Sequence, residues 1–301
     1  MTTIPSGVLP VIATPFTEDG TIDEASLRSQ IEFAITHGAH GVVLGMVSEV
    51  LRLSGAERAR LADLTCDAVA GRVSVTTSVG AESTHTAVRL AGQAAGSGAD
   101  AVMAIPPMAT ACDDEQLFGY FSALVESIEI PVVVQDASGY LGRPLSIDLQ
   151  ARLYDAYGNQ VLFKPEAQPI GPRLSALLAA THGKAKVYEG TGGLALVDSH
   201  RRGITGTMPG PDIVWALVRL WRALEDADWD TVNRLQGPIS SLVSLQNSLD
   251  SFVAVQKHLL VRQGVIRSAT ARGPVGYVLD KETAGEVDRL FDVLAAAGHP
   301  C

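Results

Sequence analysis

One lysine is set apart from the others by its neighbours. The 301-residue chain holds five lysines against eighteen arginines, and only Lys164 lies in the interior of a strand-forming run, Val161-Leu162-Phe163-Lys164-Pro165, away from its first residue. An unpaired ammonium among apolar side chains is costly, and the usual escape is loss of the proton, which leaves a neutral, nucleophilic amine. A lysine that forms a Schiff base with a carbonyl needs that state. A structural role is the competing reading: Lys164 could pair with Glu49 or Asp136 in a buried salt bridge, or reach its ammonium to the rim.

Further residues with chemical potential stand at the ends of similar apolar runs. In Gly45-Met46-Val47-Ser48-Glu49 the Ser48 hydroxyl and the N–H groups of the turn could hold a carboxylate, while Glu49 is expected to brace the loop. Gly190-Thr191-Gly192-Gly193 and Gly203-Ile204-Thr205-Gly206-Thr207 offer close backbone approach, so Gly190 and Thr205 join the expected substrate contacts. Gln135 and Asp136 close another run, and Glu166 follows Lys164 by two residues. His85, His182, His200 and His258 lack the spacing of metal ligands, and no serine lies in G-x-S-x-G, so neither a metal, another cofactor nor a serine hydrolase is predicted.

These positions share a rhythm: a short run rich in Val and Ile, a turn, then a helix-length amphipathic segment, repeated about eight times. The strand-like runs are Gly7–Phe16, Gly41–Met46, Val73–Val79, Ala101–Ile105, Pro131–Gln135, Val161–Pro165, Lys186–Glu189 and Gly203–Thr207. Near-continuous apolar strands alternating with helices mean a parallel sheet covered on both faces. Eight units in about 210 residues predict an α/β fold, a (β/α)8 TIM barrel. The competing doubly wound sheet is disfavoured because Ala13-Thr14-Pro15-Phe16 stands where a G-x-G-x-x-G would follow the first strand. Helical periodicity without strands continues to the end. It predicts a barrel over residues 1–228 and C-terminal helices over 229–301 packed on it. In such a barrel the chemistry gathers at the C-terminal strand ends, where the residues above lie.

Composition bounds the partners. Hydrophobic residues make up 47% and charged residues 19% of the chain, the mark of a globular protein. Acidic residues exceed basic ones by 33 to 23, with no basic cluster beyond a pair, which argues against a nucleic-acid partner. No apolar stretch reaches membrane-spanning length, and no basic segment followed by an apolar run opens the chain. The three cysteines, Cys66, Cys112 and Cys301, are odd in number and widely spaced, which fits a cytoplasmic protein without a disulfide framework.

Taken together and in order, Pro10 to Phe16, the Gly45 to Glu49 loop, Ile130-Pro131, Lys164 and Gly203-Ile204-Thr205-Gly206 carry a resemblance. From about Gly7 to Arg272 the chain resembles the dihydrodipicolinate synthase and N-acetylneuraminate lyase superfamily of class I aldolases and dehydratases. The resemblance implies that Lys164 forms an imine with pyruvate or another 2-oxo acid. It also implies a homo-oligomer, tetramer or dimer, of barrels with C-terminal helices.

The departures from the family pattern narrow the reading. Met46 and Val47 stand where the family's strand-two loop carries two hydroxyl residues, and Ser48 replaces its glycine. Gln135 stands at the place of the family's strand-five tyrosine, Tyr140 at that of an arginine that grips a second carboxylate, and Pro107-Met108-Ala109 where a neighbour-supplied tyrosine is expected. Val134-Gln135-Asp136-Ala137, Gly206-Thr207-Met208-Pro209-Gly210 and the stretch from Lys257 to Ile266 are similar to the branch with 2-keto-3-deoxy-L-arabonate dehydratases. The expected catalytic set is Lys164, Asp136 and Gln135, with Val47, Ser48, Glu49, Gly190 and Thr205 at the substrate. Asp136 leads as proton carrier because it follows the end of strand five, ahead of Ser48, Glu166, water and the substrate itself. Against it, adjacent strand residues point to opposite faces, so an inward Gln135 turns Asp136 away. The expected activity is a Schiff-base dehydratase or aldolase. A condensing synthase and a non-catalytic 2-oxo-acid-binding relative remain as alternatives, and poor turnover as a dihydrodipicolinate synthase is expected.

Overall fold

The computed structural model describes residues 5–139 and 143–298; Tyr140 and Cys301 lie outside the described residues. Strands and helices alternate through eight units: β1 Gly7–Val8, α1 Glu24–Thr36, β2 Gly41–Leu44, α2 Gly55–Val69, β3 Ser74–Ser78, α3 Thr84–Gly96, β4 Ala101–Ala104 and α4 Asp114–Ser127. The second half continues with β5 Val132–Asp136, α5 Ile147–Tyr157, β6 Val161–Pro165, α6 Ile170–Ala180, β7 Tyr188–Glu189, α7 Leu196–Arg201, β8 Gly206–Thr207 and α8 Val214–Glu225. Three further helices follow, α9 Trp229–Val243, α10 Leu249–Arg262 and α11 Lys281–Gly298.

All pairings between strands are parallel, in the orders β2-β3-β4-β5-β6 and β1-β8-β7. Single bridges join the two groups, Val11 to Val43 on one side and Phe163 to Val187 on the other, and so close a (β/α)8 barrel. The first, seventh and eighth strands are shorter than the sequence runs suggest. Leu9 to Val11 keep contact through single bonds, such as Val11 N–H to Pro209 O at 2.7 Å, without a regular ladder.

Strand alternation sorts the side chains into two cores. Leu9, Val11, Val43, Met103, Val133, Leu162, Tyr188 and Met208 fill the barrel interior. Val42, Val102, Val132, Val134, Val161 and Phe163 face the helices. The helices start where short polar side chains can cap them: Ser54 accepts from Glu57 N–H, and Glu57 in turn accepts from Ser54 N–H at 2.9 Å. Ser248 caps α10 by accepting from Ser251 N–H.

The C-terminal helices are tied to the barrel by polar contacts as well as packing. Arg52 pairs with Asp250 at 2.6 Å, and Gln263 donates to Asp212 O at 2.8 Å. Among the described residues, no helix is long and apolar enough to cross a membrane.

Candidate active site

The interior parity places three polar side chains above the apolar filling. Along β6, Leu162 faces inward and so does Lys164, two residues on; Glu166 continues the same face just beyond the strand. Along β5 the inward Val133 is followed by Gln135, whose backbone stands opposite Lys164 in the ladder. Along β7 the inward Tyr188 is followed by Gly190. No side chain is possible there without movement: a Cβ at Gly190 would lie 2.6 Å from Glu166 Oε1 and 2.7 Å from Lys164 Cε.

Lys164 Nζ stands 3.4 Å from Glu166 Oε1, with both side chains about 95% hidden (6% and 5% exposed). Gln135 Nε2 donates to the other oxygen, Glu166 Oε2, at 2.7 Å. Burial pushes the Glu166 carboxyl above the ordinary range, and the Lys164 charge and the Gln135 hydrogen bond oppose that rise. The cavity at these groups measures about 20 Å³ and is walled by Val11, Met46, Val47, Gly190, Met208 and Phe252. A cleft of about 610 Å³ lies between the loops after β4 and β5, but none of Lys164, Glu166 and Gln135 is on its walls. Chemistry rather than volume picks the site.

The other expected residues divide. Val47 lines the cavity, and its carbonyl accepts from Gln256 Nε2 at 3.0 Å. Ser48 is fully buried with its hydroxyl spent on backbone: it donates to Ile12 O and accepts from Gly45 N–H at 3.0 Å. It is therefore a brace for the loop and does not face Lys164. Asp136 follows the outward parity of Val132 and Val134, and its carboxylate accepts from Ser138 N–H at 3.1 Å and Leu145 N–H at 3.0 Å. The expected proton carrier is thus turned to the β5–α5 loop, with Arg173 at 3.8 Å. Thr205 precedes β8, at the opposite end from Lys164, where its hydroxyl accepts from Val187 N–H at 3.3 Å.

Glu49 braces the loop, as its position suggests, but its partner is not Lys164. It adopts a left-handed backbone conformation with φ 56°, and its buried carboxylate accepts from Lys257 Nζ and from Arg272 N–H at 3.0 Å. Lys257 also donates to Thr270 O at 2.8 Å and lies 4.7 Å from the centroid of Phe16. Burial lowers the proton affinity of Lys257, and Glu49 opposes that shift. Lys257 is a second buried lysine, missed because it lies on a helix. Its spacing on the apolar face of α10 with Val253 and Leu260, four residues before and three after, was the available signal.

The sequence matches the model of the dihydrodipicolinate synthetase family over residues 4–292. It is 30% identical over 294 residues to a 4-hydroxy-tetrahydrodipicolinate synthase of Methanosphaerula palustris, covering 96% of this chain and 98% of that protein. It is also 30% identical over 280 residues to an L-2-keto-3-deoxyarabonate dehydratase of Azospirillum brasilense, covering 89% and 88%. The fold superposes on the crystal structure of a dihydrodipicolinate synthase from Rhodopseudomonas palustris with a TM-score of 0.88 at 25% identity, over 98% of this chain and 100% of that one. With a lysine inside the mouth of a closed barrel and a match over almost its whole length, the chain belongs to the dihydrodipicolinate synthetase family.

Proposed function

We propose that the protein is a lyase that forms a Schiff base between Lys164 and a 2-oxo acid and then removes water from the bound acid. The observation that carries the reading is the 3.4 Å approach of Lys164 Nζ to Glu166 Oε1 in a buried cavity. Lys164 adds to the C2 carbonyl, and loss of water gives an imine whose positive charge acidifies the C3 protons. The Glu166 carboxylate takes one of them, and the freed electron pair forms the enamine. The enamine expels the C4 hydroxyl, which leaves as water with the proton returned by Glu166. Hydrolysis then releases the product and restores the amine.

Glu166 takes the role first expected of Asp136. Its raised proton affinity brings it toward the range in which a carboxyl can both accept and return a proton near neutral pH. Gln135 orients it and carries no proton itself, which accounts for an amide at the place of the family's tyrosine. The name of the Azospirillum brasilense relative supports dehydration. A condensing synthase, the activity in the name of the Methanosphaerula palustris relative, has less support: Met46, Val47 and Gln135 offer no hydroxyl relay.

Borohydride added with pyruvate or a 3-deoxy-2-oxo sugar acid is expected to fix an adduct on Lys164, read by intact mass and peptide mapping. Lys164→Arg should abolish it. Glu166→Gln should still give the adduct but stop dehydration. No adduct across a panel of 2-oxo acids would overturn the reading.

A further inference from the structure

In the loop after β2 every carbonyl from Gly45 to Glu49 has a donor. Gly45 O accepts from Ser48 N–H at 3.0 Å, Met46 O from Glu49 N–H at 2.9 Å, Ser48 O from the Thr14 hydroxyl and Glu49 O from Arg52 N–H at 2.8 Å. The fifth carbonyl, that of Val47, accepts from Gln256 Nε2 of α10 at 3.0 Å. Met46 and Val47 are the two residues of this loop that wall the cavity at Lys164.

The helix that supplies this donor is firmly held. Asp250, in its first turn, pairs with Arg52 at 2.6 Å, and Lys257 pairs with Glu49. Neither ion pair has a member on the cavity wall. Of the three ties between α10 and the loop, the Gln256 bond is the one that reaches that wall. Phe252, one turn before Gln256, lines the cavity directly, so this face of α10 looks toward the site.

For packing alone, Gln256 is a costly side chain. It is fully buried, and its Oε1 has no partner among the described residues; a Cβ at Gly210 would lie 3.2 Å from that oxygen. A buried acceptor left unpaired destabilises the fold, whereas a methionine of similar length would fill the space without that penalty. What the amide adds is one donor, aimed at Val47 O. A local loss of this kind belongs where function constrains the side chain.

We propose that Gln256 is a positioning residue of the active site: by holding the Val47 carbonyl it fixes the Met46–Val47 wall against which a 2-oxo acid meets Lys164. The proposal rests on the Schiff-base reading above. It makes α10, a helix outside the barrel, a determinant of how fast the imine forms.

Cyanoborohydride trapping of pyruvate and the melting temperature, measured on the same preparations, test it. Gln256→Met keeps the length and loses the donor, so trapping at saturating pyruvate should slow about tenfold or more. Its melting temperature should stay within about 4 °C of the natural chain, because the unpartnered acceptor goes together with the bond. Gln256→Glu keeps the shape, and its buried carboxyl donates to Val47 O while it holds a proton. At about pH 5.5 this variant should trap pyruvate within about threefold of the natural rate. An unchanged rate in Gln256→Met, or a Gln256→Glu rate as low as that of Gln256→Met at this pH, would overturn the positioning role and leave the Schiff base standing. So would slowing in both variants that comes with a larger fall in melting temperature, since the fault would then lie in the fold. Absence of an adduct on the natural chain with pyruvate and with a 3-deoxy-2-oxo sugar acid would overturn both.

Discussion

Gln135 Nε2 donates to Glu166 Oε2 at 2.7 Å while the other oxygen of that carboxylate faces Lys164 Nζ at 3.4 Å. Two neighbours therefore fix the orientation of one buried carboxylate and hold down a proton affinity that burial raises. Gln135→Leu removes one of these restraints, so Glu166 should keep its proton to higher pH. In the proposed mechanism the base form is the carboxylate, so the acid limb of the pH profile of kcat should move upward, and kcat at neutral pH should fall by about tenfold or more. A limb that stays in place would exclude Gln135 as the residue that positions Glu166.

Gly190 is the second control on this geometry. A Cβ would meet Glu166 Oε1 at 2.6 Å and Lys164 Cε at 2.7 Å, and neither side chain has exposed space to retreat into. Gly190→Ala should fold, because the barrel filling beneath is untouched, yet lose about a hundredfold in kcat through displacement of the reacting groups. Melting temperature and steady-state rate measured on one preparation check both halves.

The Lys257–Glu49 pair ties α10 to the loop after β2, and both side chains are fully buried. Breaking one partner leaves the other charged and uncompensated, so Lys257→Met should cost about 3–5 kcal/mol of stability. The double variant Lys257→Met with Glu49→Gln should recover much of that, because no lone charge remains. Urea unfolding of the four proteins of the cycle gives the coupling energy, and additive losses would show that the pair is not coupled.

How far the sequence could be read depended on parity and on distance along the chain. The β6 run Val161–Pro165 has the bounds its residue pattern suggests, because Pro165 punctuates it locally. The sites followed the same logic where alternation was applied: an inward Leu162 dictates an inward Lys164, and an inward Gln135 excludes Asp136. Thr205 failed because the run Gly203–Thr207 contains only two ladder residues, Gly206 and Thr207, which puts Thr205 before the strand. The Ser48 hydroxyl and the Glu49–Lys257 pair could not be read at all. Their partners, Ile12 and Lys257, lie 36 and 208 residues away in the chain, and no local pattern encodes such meetings.

Asp212 carries the last prediction. It lies against Gly210, which lines the cavity at Lys164, and is 2% exposed, with Oδ2 lacking a partner among the described residues. Burial pushes its carboxyl from the ordinary 3.8 up to about 6, opposed by a hydrogen bond from Gln246. Below pH 3.8 the folded and unfolded chains both hold the proton, and the group costs nothing. Between 3.8 and about 6 the folded chain keeps a proton that the unfolded chain has released, so stability falls as pH rises through this window. Above it the loss is complete, at roughly 3 kcal/mol for a shift of about two pH units. Asp212→Asn keeps the shape and removes the titration. Its stability relative to the natural chain should be near zero at pH 4 and rise to its full gain by pH 7.5. Urea midpoints at both pH values measure the difference, and a gap that does not change with pH would show that Asp212 is not titrating in this window.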